Sequence, residues 1–284
     1  MARPTASELR ALRRRDPRLA AAMERLPAFP GFPDAASSSS PSHWHALARA
    51  IVFQQLATAA ATTIHRRVCA LTPGEALAEP DEFLRLDDPR LRSAGLSVNK
   101  IAALRDLASR IVDGRLPLHD LHEAPDEAIV ERLVAVRGIG VWSAHMFLLF
   151  RLGRLDVGAS GDLGVREGLR LLDELDERPT EKVAAARMEA WRPLRSVGSW
   201  LMWRLVDLER ARLATKPAAP SRTPTKPAAT KAATTERATS RRATTKAAPK
   251  KAAPKKAAPA KRAPKKGAPK TRSASKPAAS KRAR

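Results

Sequence analysis

The stretch LVAVRGIGVWSAHMFLLFRLGRLDVGASGDLGVREG, Leu133 to Gly168, decides the fold. Arg137-Gly138-Ile139-Gly140 separates two apolar-periodic segments, so it reads as a tight turn between two helices. A Gly-x-Gly turn leaves backbone N–H groups bare at the start of the second helix. Such a helix N-terminus is a phosphate-binding device. Asp162, twenty-two residues beyond Gly140, opens a third helix-like segment. Its carboxylate is placed to cap that helix. Held a fixed distance from a bound phosphate, the same carboxylate can also act at the sugar of a nucleotide. Asp156 is the rival carboxylate, six residues earlier.

Working outward, the body reads as helical throughout. Ala, Leu and Arg dominate, Tyr is absent, and no alternating strand pattern occurs. The helical hairpin covers about 126–152. Pro125-Asp126-Glu127 begins its first helix, with acids where the macrodipole favours them, and the second runs from about Ile139 to Leu152. Upstream, Ala94-Gly95-Leu96 turns the chain into a helix over about 97–113, with Gly114 placed as its C-cap. Residues 42–71 suit two buried helices through Trp44, Leu47, Ile51, Leu56, Ile64 and Val68. A Pro/Gly/Ser linker over 28–41 precedes them, and Ser40 with Pro41 reads as the helix start. Downstream, a helix from Asp162 ends near Leu175, Thr180 caps the next, and Pro193 starts the last.

Charge divides the chain. Of the formal net charge of +24 over 284 residues, most lies after Thr215. Residues 216–284 carry 22 Lys and Arg against one acid, Glu236, while 1–215 carry 31 against 28. The tail is Lys, Ala, Pro and Thr, with AAPKK at 247–251 and 252–256 and RAPKK at 262–266. Proline at that spacing forbids a continuous helix, and so few large apolar residues cannot offset the entropy of ordering. The expectation is a nearly neutral folded body, 1–215, and a disordered basic tail, 216–284. That tail resembles those of linker histones and would contact nucleic acid through phosphate, irrespective of sequence. Cys69 is the one cysteine, so no disulfide forms within the chain. No apolar h-region opens the sequence and no apolar run approaches ~20 residues, so neither a secretory signal nor a membrane span is expected. His43, His45, His65, His119 and His122 show no metal-ligand pattern, and His145 reads as a packing residue.

Four ordered segments carry a family resemblance. They are Ile51-Val52-Phe53-Gln54-Gln55-Leu56 within 47–64, Ala94-Gly95-Leu96 followed by Lys100, Gly138-Ile139-Gly140-Val141-Trp142-Ser143-Ala144, and WRPLRSVGSWLMWRL over 191–205. Together they resemble the helix-hairpin-helix DNA glycosylases, most closely the alkylpurine branch typified by DNA-3-methyladenine glycosylase II. The likeness covers roughly 42–210. It implies a compact, two-lobed, all-α helix-hairpin-helix glycosylase fold. It also implies a monofunctional enzyme that flips alkylated purines out of double-stranded DNA and hydrolyses their N-glycosidic bonds in base excision repair. Asp162 would be catalytic. Trp142, Met146, Trp203 and Phe53 would line the base pocket, with Gln55, Gly138, Gly140 and Lys100 on DNA. Bifunctional members carry a lysine where this chain has Trp142, so no lyase step is implied. No cofactor is required. A Na⁺ or K⁺ held by the main-chain carbonyls of Val134, Val136 and Ile139 is implied by the family. With one cysteine, the four-cysteine iron–sulfur cluster of some members is excluded.

The chain departs from the family in two places. Met146 stands where relatives place an aromatic, and the usual proline is missing from Gly158-Ala159-Ser160-Gly161-Asp162. Plainer readings stand beside the functional ones. Asp162 also suits an N-cap, Trp142 and Trp203 suit a core, and Gln54 and Gln55 suit bonds to loop backbone. Trp44, Trp191 and Trp200 read as core. Two alternative functions remain: a glycosylase for deaminated or oxidised bases, and a non-catalytic chromatin or nucleoid protein on the same fold. The expected setting is a monomer on DNA, in the cytoplasm or nucleoid of a bacterium or the nucleus of a eukaryote.

Overall fold

The hydrophobic pattern resolves into helices capped by their own flanking residues. The computed structural model describes residues 2–33, 40–74 and 76–215; the expected disorder of the tail and part of the expected linker fall outside the described residues. In order, the helices are α1 (Ala6–Arg15), α2 (Pro17–Arg25), α3 (His43–Phe53), α4 (Thr58–Cys69), α5 (Pro80–Arg85) and α6 (Asp88–Ser93). There follow α7 (Val98–Val112), α8 (Asp126–Val134), α9 (Val141–Phe150), α10 (Leu163–Leu172), α11 (Glu181–Met188) and α12 (Arg195–Thr215). Among the described residues the only β pairing is an isolated bridge between Ala2 and Phe32.

Asp162 and Thr180 cap α10 and α11 with their side chains, as the sequence suggests, and Ser97 caps α7. Two starts differ from expectation. α3 is capped by Ser42, not Ser40. The Ser42 hydroxyl also meets His45 Nδ1 at 2.7 Å, and His45 Nε2 meets the Leu77 carbonyl at 2.9 Å, so the cap is tied into the fold. The Ser40 carbonyl instead accepts from Arg151. α12 begins at Arg195 rather than Pro193, because Asp156 accepts the Arg195 amide at 3.2 Å and its guanidinium at 2.9 Å.

Two hydrophobic cores form. The first gathers α3 to α9 around Trp44, Phe83, Leu104 and Leu107. The second gathers α1, α2, α10, α11 and α12 around Leu12, Leu19, Leu169, Trp191 and Met202. Phe29, Met146, Leu155, Trp200 and Trp203 pack against both, and so define a seam between two lobes. Trp44 and Trp191 are fully buried, as expected of core residues. α10 and α12 cross in backbone contact: a Cβ on Gly168 would lie 2.5 Å from Met202 Cβ and 2.6 Å from its carbonyl oxygen.

The N-terminal pair α1–α2, which no motif announced, is stapled to the second core by Asp16. This carboxylate is 4% exposed. It caps α2 through the Leu19 amide and accepts from Trp191 Nε1 at 2.6 Å and from Arg187 at 2.7 Å. Burial works against its charge, but Arg187, the indole N–H and the amide outweigh it and hold the carboxyl below its usual range. A depressed folded pKa stabilises fully above the unfolded value, ~3.9, and is lost as pH falls through the folded value. Asp16→Ala should therefore cost about 3 kcal/mol at neutral pH. The gap from wild type should shrink as pH drops below about 4. Urea unfolding across pH 7 to 2 measures both; an unchanged midpoint at pH 7 would show the staple to be inert.

Candidate active site

Asp162 gathers donors from three elements at the seam. The loop before it turns on the Asp162 amide, which donates to Ala159 O at 3.0 Å. Its Oδ1 accepts the Val165 amide at 2.8 Å and Trp203 Nε1 at 2.8 Å, and its Oδ2 accepts Trp142 Nε1 at 2.7 Å. The cap belongs to α10, Trp142 to α9 and Trp203 to α12. Indole N–H groups donate only, so they orient the carboxylate without offering it a mobile proton. Asp162 remains partly exposed. Both sequence readings of Asp162 meet here: the helix cap uses one lone pair, and the rest of the carboxylate points at the seam.

Asp156 is differently engaged. Arg192 and Arg195 bind it at 3.0 and 2.9 Å, and its role is to start α12. His145 faces a separate cleft of about 400 Å³ with Asp126, Asp156 and Arg195, on a different face of α9 from Trp142. Burial pushes its pKa down; Glu181 opposes that and Arg195 adds to it.

The aromatic surroundings match the expected base pocket in part. Trp142 is 51% exposed, while Trp203 is half-buried. Trp203 stacks on Phe150 at 5.7 Å and 22°, and Phe150, 42% exposed, meets Phe32 edge-on at 5.5 Å. Met146 packs in the seam, against both cores. Phe150 was not anticipated, although its spacing from Trp142 and Met146 puts all three on one helical face. Phe53, expected in the pocket, makes its contacts elsewhere. Its ring lies under the Arg49 guanidinium at 3.9 Å and edge-on to His65, and among the described residues no interaction joins it to Asp162.

The hairpin presents the second half of the site. Gly138 adopts φ +81°, which glycine alone takes without strain, and Ala103 would stand 3.2 Å from a Cβ there. Gly140 caps α9 without a side chain, so the first amides of α9 are left bare. Nothing lies within 4 Å of a Cβ on Gly140, so its space is open in the free protein. The turn is pinned from two sides. Asp106 accepts the Arg137 amide at 2.8 Å, and Gln54 Nε2 donates to the Gly138 carbonyl at 2.9 Å. Val134, Val136 and Ile139 belong to this turn, where Val136 O accepts the Ile139 amide at 3.1 Å. A carbonyl keeps a second lone pair, and an all-carbonyl set fits a hard monovalent cation. Such an ion would add positive charge behind a bound phosphate. No group of three His, Cys, Asp or Glu able to hold another metal occurs among the described residues.

The loop between α3 and α4 comes beside the hairpin through Gln54. Gln55 takes φ +55° and is exposed. Leu56, expected in a buried helix, is instead 39% exposed, because α3 ends at Phe53 and α4 begins at Thr58. Lys100, expected on DNA, turns inward. Its ammonium donates to Val52 O at 2.6 Å and Gln54 O at 2.9 Å, closing the C-terminus of α3, and burial lowers its pKa. Lys100 thus shapes the Gln55–Leu56 loop. Lys100→Met should weaken binding to duplex DNA while leaving the salt dependence unchanged. If the ammonium met a phosphate instead, the log–log slope would fall by about 0.9. A fluorescence-anisotropy salt series separates the two.

Comparison with known proteins agrees with this geometry. The family described as HhH-GPD superfamily base excision DNA repair protein matches residues 48–193. DNA-3-methyladenine glycosylase 1 of Schizosaccharomyces pombe is 32% identical over 177 residues, 62% of this chain and 76% of that protein. A DNA-3-methyladenine glycosidase structure from Bacillus halodurans superposes with a TM-score of 0.64 at 32% identity, covering 72% of this chain and 91% of the other. The S. pombe 3-methyladenine DNA glycosylase in complex with abasic DNA gives 0.58 at 29% identity, covering 70% and 95%. The donors around Asp162 and the bare amides of α9 thus lie on a shared scaffold, and the chain belongs to the HhH-GPD superfamily of base excision DNA repair proteins.

Proposed function

We propose that this chain is a monofunctional DNA glycosylase that hydrolyses the N-glycosidic bond of alkylated purines in double-stranded DNA, with Asp162 as its catalytic carboxylate. The observation that carries the reading is the triple N–H hold on a partly exposed carboxylate beside open aromatic faces. The activities in the names of the S. pombe and B. halodurans relatives support the substrate class.

The chemistry follows from charge. As the base leaves, C1′ of the sugar becomes cationic, and a carboxylate beside it stabilises that transition state. At ~4 Å and an effective dielectric of ~20 the contact contributes roughly 4 kcal/mol, about a thousandfold in rate. The base departs as a neutral molecule with the bonding electrons, and water then adds to the cationic C1′ and gives up a proton, to the Asp162 carboxylate or to solvent. An alkylated purine is already cationic and leaves neutral, so it needs no strong general acid. Among the described residues, the carboxylate of Asp162 is hydrogen-bonded by N–H donors. A neutral deaminated or oxidised base would need such an acid, and the names of the relatives point to the alkylated class.

The rest of the site serves access. The bare amides of α9 take a backbone phosphate. The extruded, cationic base meets the electron-rich faces of Trp142 and Phe150. Leu56, an exposed apolar side chain beside the left-handed Gln55, fills the space the base vacates, as apolar wedges do between base steps. The lysines of 1–215 are Lys100 and Lys182 alone. The first donates to the carbonyls of Val52 and Gln54, the second stands on α11, and Trp142 takes the position of the lysine of bifunctional relatives. The tail, 216–284, serves as a cationic arm that keeps the body near DNA. No described helix is long and apolar enough to cross a membrane.

Asp162→Asn keeps an oxygen for the Val165 amide, so the fold should survive. Its single-turnover rate on lesion duplex should fall at least about a hundredfold, with lesion-DNA affinity within a few-fold, because the charge acts only in the transition state. Wild type should leave an intact abasic site. A near-normal rate for Asp162→Asn, or efficient borohydride trapping of a protein–DNA adduct, would sink the proposal. Removing 216–284 should leave that rate on a short saturating duplex unchanged while flattening the salt dependence on long DNA. An unchanged slope would remove the arm from the account.

A further inference from the structure

Gly164 sits in the first turn of α10, two residues beyond Asp162, and nothing in its backbone calls for glycine. It lies within a regular helix without a positive φ. Alanine there would favour the helix by about 1 kcal/mol. What glycine provides is space. A Cβ at 164 would stand 2.8 Å from Trp203 Cδ1, 3.1 Å from Trp203 Nε1 and 3.1 Å from Asp162 Oδ1. The first of these is closer than side chains tolerate.

Trp203 has little freedom to yield. One face stacks on Phe150, which is itself lodged against Phe32, and the ring packs between the two hydrophobic cores. A Cβ at 164 would therefore press the indole away from the carboxylate. Asp162 would keep the Val165 amide on Oδ1 and Trp142 on Oδ2, so the cap of α10 would persist. The hold of Trp203 on Oδ1 would be lost, while Oδ1, 3.1 Å from that Cβ, would give by only a few tenths of an ångström.

From the reading that Asp162 is the catalytic carboxylate, we propose that Gly164 is a positioning residue. Its missing side chain admits the Trp203 N–H to Asp162, and Trp203 serves the chemical step through that N–H edge. Trp142 holds the other oxygen in the same way. The aromatic pair thereby fixes the plane of the carboxylate before the base arrives. A hydrogen bond from a neutral N–H to a carboxylate is charge-assisted and directional, and so suited to that task.

The test compares wild type, Gly164→Ala, Trp203→Phe and the double variant on lesion-bearing duplex. Phenylalanine keeps a ring for packing and removes the N–H. Each single change should slow the saturated single-turnover step by about tenfold to a hundredfold while lesion-DNA affinity stays within a few-fold. The double variant should be no slower than the slower single, because both changes remove one hydrogen bond. By ¹⁵N–¹H NMR, the Trp203 indole proton should lie downfield in wild type and move upfield in both Gly164→Ala and Asp162→Asn. Rate losses that multiply in the double variant would overturn the proposal. So would a Gly164→Ala protein with wild-type rate and an unmoved resonance, or a loss confined to affinity, which would assign Trp203 to base binding alone. A slow Asp162→Asn beside a normal Gly164→Ala defeats only this inference. A normal Asp162→Asn defeats the functional reading beneath it.

Discussion

A carboxylate set among aromatic rings needs donors, and Asp162 takes them from three helices at once. The α10 amide, the α9 indole and the α12 indole converge only if both lobes are assembled. This requirement explains features that otherwise look unrelated. Gly168 lets α10 and α12 touch, which brings Trp203 over the N-terminus of α10. Asp156 starts α12 by accepting its first amide, which sets the register of that helix. The α1–α2 pair, stapled through Asp16 and Trp191, closes the far side of the same core. The tryptophan–carboxylate pairing is thus used at two sites. It is buried and structural at Asp16, and partly exposed at Asp162.

The hairpin half of the site is organised by backbone rather than by charge. Asp106 and Gln54 pin the turn, and Lys100 ties the neighbouring loop to α7. The Lys100 ammonium, the Arg137 amide and the Gly138 carbonyl are consumed internally, while the first amides of α9 stay bare, the contacts proposed for phosphate. Such contacts are short and geometrically fixed. They suit a body whose own charge is nearly balanced, 31 Lys and Arg against 28 acids over 1–215.

Much of this was legible in the residues. The Gly138–Gly140 turn, the flanking helices and the place of Asp162 followed from period and punctuation. What stayed hidden was direction. Leu56 fits an apolar helical pattern until α3 is seen to stop at Phe53, a boundary set by Lys100 from 48 residues away. Lys100 itself reads as a phosphate contact because sequence shows a charge but not the carbonyls it meets. Trp142 and Trp203 read as stacking rings because sequence names the indole without saying which edge faces inward. Phe150 was within reach of the pattern, since it shares the helical face of Trp142 and Met146. The α1–α2 staple was not, because its partners are 175 residues apart.

The central claim is that this site removes a base that carries its own positive charge. Mass spectrometry of the bases released from methylated, deaminated and oxidised duplex DNA by the full chain tests it directly. The account predicts release of 3-methyladenine and 7-methylguanine, with hypoxanthine and 8-oxoguanine left in place. Preferential release of the neutral bases would contradict it, because a neutral base needs a general acid that a cationic one does not.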